Sequence, residues 1–241
     1  LAANWRNMMK RRLTAGGKVR FRGGRKGGDR VMFDAVIFDL DGTLIDSEAI
    51  SQAAGIAAFA AMGIDVDPAF LHGLVGVDDR TGSEIILAAF PRLDPVQFAR
   101  VWSDALARRW DHGVPLKPGT HEVLSGIILP KALATSSTRA QADRKLTLTG
   151  LGVHFSHTVT VDDVTAPKPH PEPYLLAARL LGVPPARCVA FEDSETGARS
   201  AHAAGMTVVQ VPDVVPTKGD FAHLVAPDLI SAARQLGLIA A

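Results

Sequence analysis

The chain of 241 residues has one cysteine, Cys188. That excludes an intramolecular disulfide and points to a reducing compartment, the cytoplasm. Cys188 opens an apolar run and reads as packing, not as a reactive thiol. No apolar stretch reaches the roughly 18 residues of a helical membrane span. The N-terminus lacks the apolar segment of a secretory signal. Of eight histidines, none shows the His-x-x-x-His spacing of a zinc site, and His72, His112 and His121 read as solvated. The body contains no internal repeat and no low-complexity tract.

Apolar residues make up 47% of the chain, enough for a substantial core in one large domain or two small ones. The net charge of +1 conceals an asymmetry. Residues 1–31 carry ten Lys/Arg against one acid, Asp29, whereas residues 32–241 carry 16 against 24. The basic segment is Gly-rich without apolar periodicity and is expected to be disordered. It reads as an upstream extension with Met32 as the natural start, or as an arm for RNA or a membrane.

From Lys117 onward, strand and helix patterns alternate. Strands are predicted at 35–39, 132–135, 157–161, 188–192, 207–211 and 223–225, with helices at 119–127, 139–150, 171–181 and 195–204. This implies an α/β fold, a Rossmann-like parallel sheet with helices on both faces. Strand signals are absent across 46–113, where apolar residues recur at helical spacing. Ser47 with Glu48 suits a helix start and Gly63 a stop, and Asp94-Pro95 supplies a cap followed by proline at the first helical position. Further helices are predicted at 67–74, 82–90 and 94–110. The expected organisation is therefore a core of 32–45 and 114–241 with an all-helical insertion at 46–113, rejoined through Pro115-Leu116-Lys117-Pro118-Gly119.

Two carboxylates, Asp39 and Asp41, end the apolar run Ala35-Val36-Ile37-Phe38. Burying ionised carboxylates without partners is costly. A bound Mg²⁺, which takes hard oxygen ligands, is the simplest reason to place two at the carboxyl end of a strand, where open α/β sheets bind ligands. An ordinary Asp-Gly turn is the competing reading.

Asp39-Leu40-Asp41-Gly42-Thr43-Leu44-Ile45-Asp46-Ser47-Glu48 resembles the first motif of the haloacid dehalogenase-like hydrolases. Three later positions agree in order: Thr135 after Ala132-Leu133-Ala134, Lys168 in Lys-Pro-His-Pro-Glu-Pro-Tyr, and Glu192-Asp193 in Phe-Glu-Asp-Ser-x-x-Gly. The resemblance implies Asp39 as nucleophile, forming an aspartyl-phosphate, and Asp41 as general acid/base. It also implies Lys168 and Thr135 as phosphate contacts. Mg²⁺ would be held by Asp39, the carbonyl of Asp41 and Asp193, with Glu192 a ligand through water or a partner of the ligands. Backbone N–H groups of Leu40, Asp41 and Ser136 are candidates for the phosphate nest. Ser137 and Arg139 are candidates for the leaving-group side. The insertion corresponds to a helical cap, whose loop Val75–Arg80 offers Arg80, Asp78 or Asp79 for substrate recognition. Pro167 replaces the family's usual glycine, and Ser51 stands where related mutases carry a histidine. The implied function is a Mg²⁺-dependent phosphatase acting on a small phosphorylated metabolite. A sugar or polyol phosphate is the first choice, because Phe191-Glu192-Asp193-Ser194 and Ala203-Ala204-Gly205-Met206 resemble that branch. The expected state is a monomer or small homo-oligomer with neither membrane nor nucleic acid as partner. A sugar phosphomutase is one alternative, and a nucleic-acid-associated protein using the basic arm is another.

Overall fold

The computed structural model describes residues 33–74, 79–213 and 215–240, without the side chains of Asp79 and Arg80. The basic segment 1–31 and residues 75–78, including Asp78, lie outside the described residues. Six parallel strands form one sheet: β1 (Ala35–Phe38), β2 (Lys131–Ala134), β3 (His157–Val159), β4 (Cys188–Glu192), β5 (Thr207–Gln210) and β6 (Leu224–Val225). Their spatial order is β3-β2-β1-β4-β5-β6. The order reverses between β1 and β4, which places a ligand crevice beyond their carboxyl ends.

Strand residues alternate between two cores. Val36 and Phe38 join Leu133, Val189 and Phe191 on one face. There Phe38 stacks on Phe191 at 4.9 Å between centroids and meets Phe155 edge-on at 6.3 Å. That face is covered by α5 (Thr120–Gly126) and α9 (Leu229–Gln235). Ala35 and Ile37 face the other way, among Ala132, Ala134 and Ala190. Small side chains there let α7 (Glu172–Leu181) and α8 (Glu195–Ala203) pack close to the sheet. The α6 helix (Arg139–Thr149) follows β2.

Between β1 and α5 lie four helices: α1 (Glu48–Ala61), α2 (Pro68–His72), α3 (Asp79–Ala89) and α4 (Pro95–Trp110). They bury a separate core of Ala58, Phe59, Val66, Leu71, Ile86, Leu93 and Phe98. The two connections to the sheet run side by side. Asp46 N–H donates to Pro115 O at 2.8 Å, and Lys117 N–H to Leu44 O at 2.9 Å.

Asp67 and Asp94 accept from the first-turn N–H groups of α2 and α4, the latter as its place before Pro95 predicts. Ser47 makes no side-chain cap bond to α1. Its hydroxyl is instead among the groups that hold the Asp41 carboxyl below its usual value. The α3 helix begins three residues before the predicted 82. The α9 helix was not predicted at all; Asp228 caps it by accepting from Ser231 N–H at 2.6 Å. No helix among the described residues is long and apolar enough to cross a membrane.

Phe38→Ala removes a ring fully buried between two others. Urea denaturation should show a loss of about 3–5 kcal/mol, the usual range for a buried Phe truncated to Ala. A loss below about 1 kcal/mol would show that the site collapses around the cavity.

Candidate active site

The carboxyl end of β1 remains clamped to β4 one residue past the strand, where Asp39 N–H donates to Phe191 O at 2.9 Å. This sets the Asp39 side chain beside the end of β4. Lys168, joined to Pro169 by a cis bond, brings its ammonium to the ends of both strands. It donates to Asp39 Oδ1 at 2.7 Å and to Glu192 Oε1 at 2.6 Å. Tyr174 on α7 donates its hydroxyl to the same Glu192 oxygen at 2.6 Å, and Ser194 donates to Glu192 Oε2 at 3.1 Å. Glu192 is wholly buried. Its side chain fits only because residue 197 is glycine, since a Cβ there would lie 1.8 Å from Glu192 Oε1. Gly42 has φ of 80°, and a Cβ on it would lie 2.3 Å from Asp193 Oδ2. Thr43 Oγ1 donates to Asp193 Oδ1 at 3.3 Å.

Asp39, Glu192 and Asp193 each present a carboxylate oxygen, the three within 4.8 Å of one another. Burial is the main force raising the Asp39 carboxyl to about 7; the Glu192 and Asp41 charges add to it, and Lys168 opposes it. Burial, then the charges of Asp39 and Glu192, likewise pushes Asp193 well above its ordinary value. Lys168 is held protonated, as Asp39 and Glu192 outweigh the effect of its own burial. One lysine therefore leaves this acidic group under-neutralised. The hard oxygen donors and excess negative charge fit a divalent cation such as Mg²⁺. Asp39 and Asp193 could hold it. Both oxygens of Glu192 are occupied by Lys168, Tyr174 and Ser194, which makes Glu192 the lysine's anchor.

Asp41 occupies different surroundings. Lys145 on α6 donates to its Oδ1 at 2.6 Å and its Oδ2 at 2.7 Å, and Ser137 donates to Oδ2 at 2.8 Å. Burial would raise the Asp41 carboxyl, but Lys145, Ser47 and Ser137 together hold it below its usual value. Two carboxylates two residues apart are thus pushed in opposite directions.

Thr135 is buried at the end of β2, its Oγ1 accepting from Ser137 N–H at 3.1 Å. Leu40 is buried, and its carbonyl accepts from the N–H groups of Leu44 and Ile45 in the turn that carries Asp41. Ser136 is exposed beside Thr135. Arg139 is directed elsewhere: its guanidinium donates to Thr158 O at 2.8 Å and Asp163 Oδ2 at 2.5 Å. The backbone of Arg80 lies in the second residue of α3. Three residues of this neighbourhood were not anticipated from sequence: Lys145, Tyr174 and Trp110. Tyr174 was visible as the last residue of the Lys168 motif, but nothing in the motif revealed its bond to Glu192. Cys188 is buried, and burial pushes its thiol up to about 11, consistent with packing.

The family model of haloacid dehalogenase-like hydrolases matches residues 33–205. Protein CbbY of Rhodobacter capsulatus is 34% identical over 226 residues, covering 83% of this chain and 96% of that protein. Fructose-1-phosphate phosphatase YqaB of Escherichia coli is 34% identical over 181 residues, covering 74% and 96%. Among solved structures, CbbY from Rhodobacter sphaeroides in complex with phosphate superposes with a TM-score of 0.71 at 28% identity, covering 82% of this chain and 95% of that one.

The raised Asp39 carboxyl makes a testable link between pH and metal. A carboxyl raised in the folded state favours the fold at low pH, and that contribution disappears as pH rises through about 7. A cation binding the ionised group reverses the loss by mass action. Added Mg²⁺ should therefore raise Tm more at pH 8 than at pH 6, as read by thermal melts. An equal shift at both values would detach cation binding from Asp39.

Proposed function

Because the chain belongs to the haloacid dehalogenase-like hydrolases, we propose that it is a Mg²⁺-dependent phosphatase that hydrolyses a small sugar or polyol phosphate through an aspartyl-phosphate on Asp39. Its membership of a hydrolase family with named phosphatases fixes the broad class, a phosphoric monoester hydrolase. The observation that carries the finer reading is the division of labour between Asp39, gripped by Lys168 beside Asp193, and Asp41, gripped by Lys145 and Ser137.

Asp39, Asp193 and the carbonyl of Asp41 are the proposed Mg²⁺ ligands. Bound there, the ion would offset the charge that otherwise keeps a carboxylate and a phosphate apart. Lys168 fixes the carboxylate of Asp39 in direction and adds a second positive charge. An Asp39 oxygen attacks phosphorus as the ester P–O bond breaks. Asp41, which Lys145 holds ionised in the free protein, must first take up a proton and then gives it to the departing oxygen. Water then attacks the same phosphorus, losing its proton to Asp41, and the P–O bond to Asp39 breaks to release phosphate. Thr135 and the N–H groups of Leu40, Asp41 and Ser136 are the proposed donors to the phosphate oxygens, and Ser137 holds Asp41 on the leaving-group side.

YqaB, by its name, acts on fructose 1-phosphate, and a small phosphorylated sugar is the substrate class proposed for this chain. Ser51, half-buried on α1, offers a hydroxyl where related mutases carry a histidine, which favours water over a second sugar as acceptor. The helical cap of residues 46–113 is the proposed source of substrate preference, with Arg80 recognising an anionic remainder of the metabolite, or Asp78 and Asp79 a hydroxyl. Arg139, engaged with Asp163, has no place in this scheme.

Asp39→Asn should abolish phosphate release from any ester, since an amide cannot attack phosphorus, while the variant still melts cooperatively. Turnover near wild type would remove Asp39 as nucleophile. Arg80→Ala should raise KM for the preferred sugar phosphate several-fold and leave nitrophenyl phosphate hydrolysis nearly unchanged. Binding of a remote group is separable from stabilisation at phosphorus. Equal losses on both esters would place the specificity residues elsewhere in the cap.

A further inference from the structure

We propose that Lys145 is the positioning residue for Asp41, and that the cap holds Lys145 in place through Trp110. The inference rests on the phosphatase reading above. Lys145 is 5% exposed. Its ammonium forms a closed triangle with Asp41 and Ser137, donating to both Asp41 oxygens and to Ser137 Oγ at 2.8 Å, while Ser137 donates to Asp41. Asp41 is the ion-pair partner of Lys145 among the described residues. A single-point contact would let the carboxylate rotate. Three bonds from two donors, one spanning both oxygens, fix its plane and its distance from Asp39.

The other side of the ammonium is closed by the cap. Trp110, last residue of α4, places its ring centroid 5.1 Å from Lys145 Nζ. Its indole N–H is buried and, among the described residues, finds no hydrogen-bond partner. The ring face, not the polar edge, is what the position uses, and a ring face attracts a cation. The neighbouring residue fastens the same two helices. Arg144 donates to Ala107 O at 2.9 Å and to Asp111 Oδ1 at 2.5 Å, and its guanidinium lies 5.8 Å from the Trp110 ring. The end of the cap's last helix is thus fixed to the core helix whose lysine holds Asp41.

Lys145 touches neither phosphorus nor leaving group in this account; it acts through Asp41. Its loss should therefore spare the step that does not need Asp41. Nitrophenolate leaves without a proton, so Asp39 can still take the phosphoryl group from nitrophenyl phosphate. An alkyl leaving group needs the proton, and in both cases the attacking water must lose one.

The test is Lys145→Met, close to isosteric and uncharged, in the full chain with Mg²⁺. Steady-state kcat on a hexose phosphate should fall about 10- to 100-fold, with KM changed less than about two-fold as for a group acting only in the chemical step. On nitrophenyl phosphate a burst of about one equivalent of nitrophenolate should precede slow turnover, the mark of accumulating acyl-phosphate. In an Asp41→Asn background the same substitution should cost little more, because the two groups act as a unit. Trp110→Leu, which keeps the lysine, should give the same burst with a smaller fall and serves if Lys145→Met does not fold. Loss of burst and steady state alike, no loss at all, or a full further loss in the Asp41→Asn background would overturn the positioning role. A wild-type chain that releases phosphate from neither ester would overturn the phosphatase reading itself, and this inference with it.

Discussion

The ammonium of Lys168 between Asp39 and Glu192 is the interaction on which the rest of this structure depends. Three carboxylates converge at the ends of β1 and β4, and bringing so much negative charge out of water is unfavourable without compensation. Parallel pairing of β1 with β4 in the register Phe38 to Phe191 is what brings Asp39 alongside Glu192. Tyr174 and Ser194 saturate Glu192 from the helices behind the sheet. Gly42 and Gly197 remove the two Cβ atoms that would strike the carboxylates. The apolar layers on both faces of the sheet position a charged centre that one lysine neutralises only in part.

That incomplete neutralisation links the fold to the proposed chemistry. A carboxyl raised to about 7 in Asp39 is only about half ionised at neutral pH without a cation. A cation on Asp39 and Asp193 would restore the charge and direct it at an incoming phosphate. Asp41, only two residues away, is turned out of the cluster by the Gly42 turn and ionised by Lys145. The two adjacent acids therefore differ in proton affinity, and the proposed roles need a change on binding: a cation must ionise Asp39, and Asp41 must take up the proton it later donates. The connection from Asp41 through Lys145 to Trp110 extends this separation into the cap.

The strands and most helices were legible because each ends in a local signal. Apolar runs stop at Asp39, Thr135 and Glu192; helices start at Asp67, Asp94 and Thr138, the last through a reciprocal pair with Gln141. The α9 helix was missed: it is short, and its apolar residues earn their place only against α5 and the sheet. The meeting of Asp39, Glu192 and Asp193 with Lys168 was legible in the sequence because these residues close strands or loops in a familiar order. The role of Lys145 was not, since a lysine in Ala-Gln-Ala-Asp-Arg-Lys reads as a solvated charge. Its burial is decided by Asp41, 104 residues away, and by Trp110 in another layer. Ser47 was read as a helix cap and Arg139 as a substrate contact for the same reason in reverse. Each side chain had a plausible local use, but Ser47 makes no cap bond to α1 and Asp163 claims the Arg139 guanidinium.

The account turns on a covalent bond between Asp39 and phosphorus. The most direct measurement is mass spectrometry of the acid-quenched chain during turnover of nitrophenyl phosphate, in wild type and in Asp41→Asn. The account predicts an adduct of one phosphoryl group on the peptide that contains Asp39, enriched in Asp41→Asn because water activation is impaired while transfer to Asp39 continues. Phosphate release with no adduct in either protein, or an adduct on a peptide lacking Asp39, would contradict it.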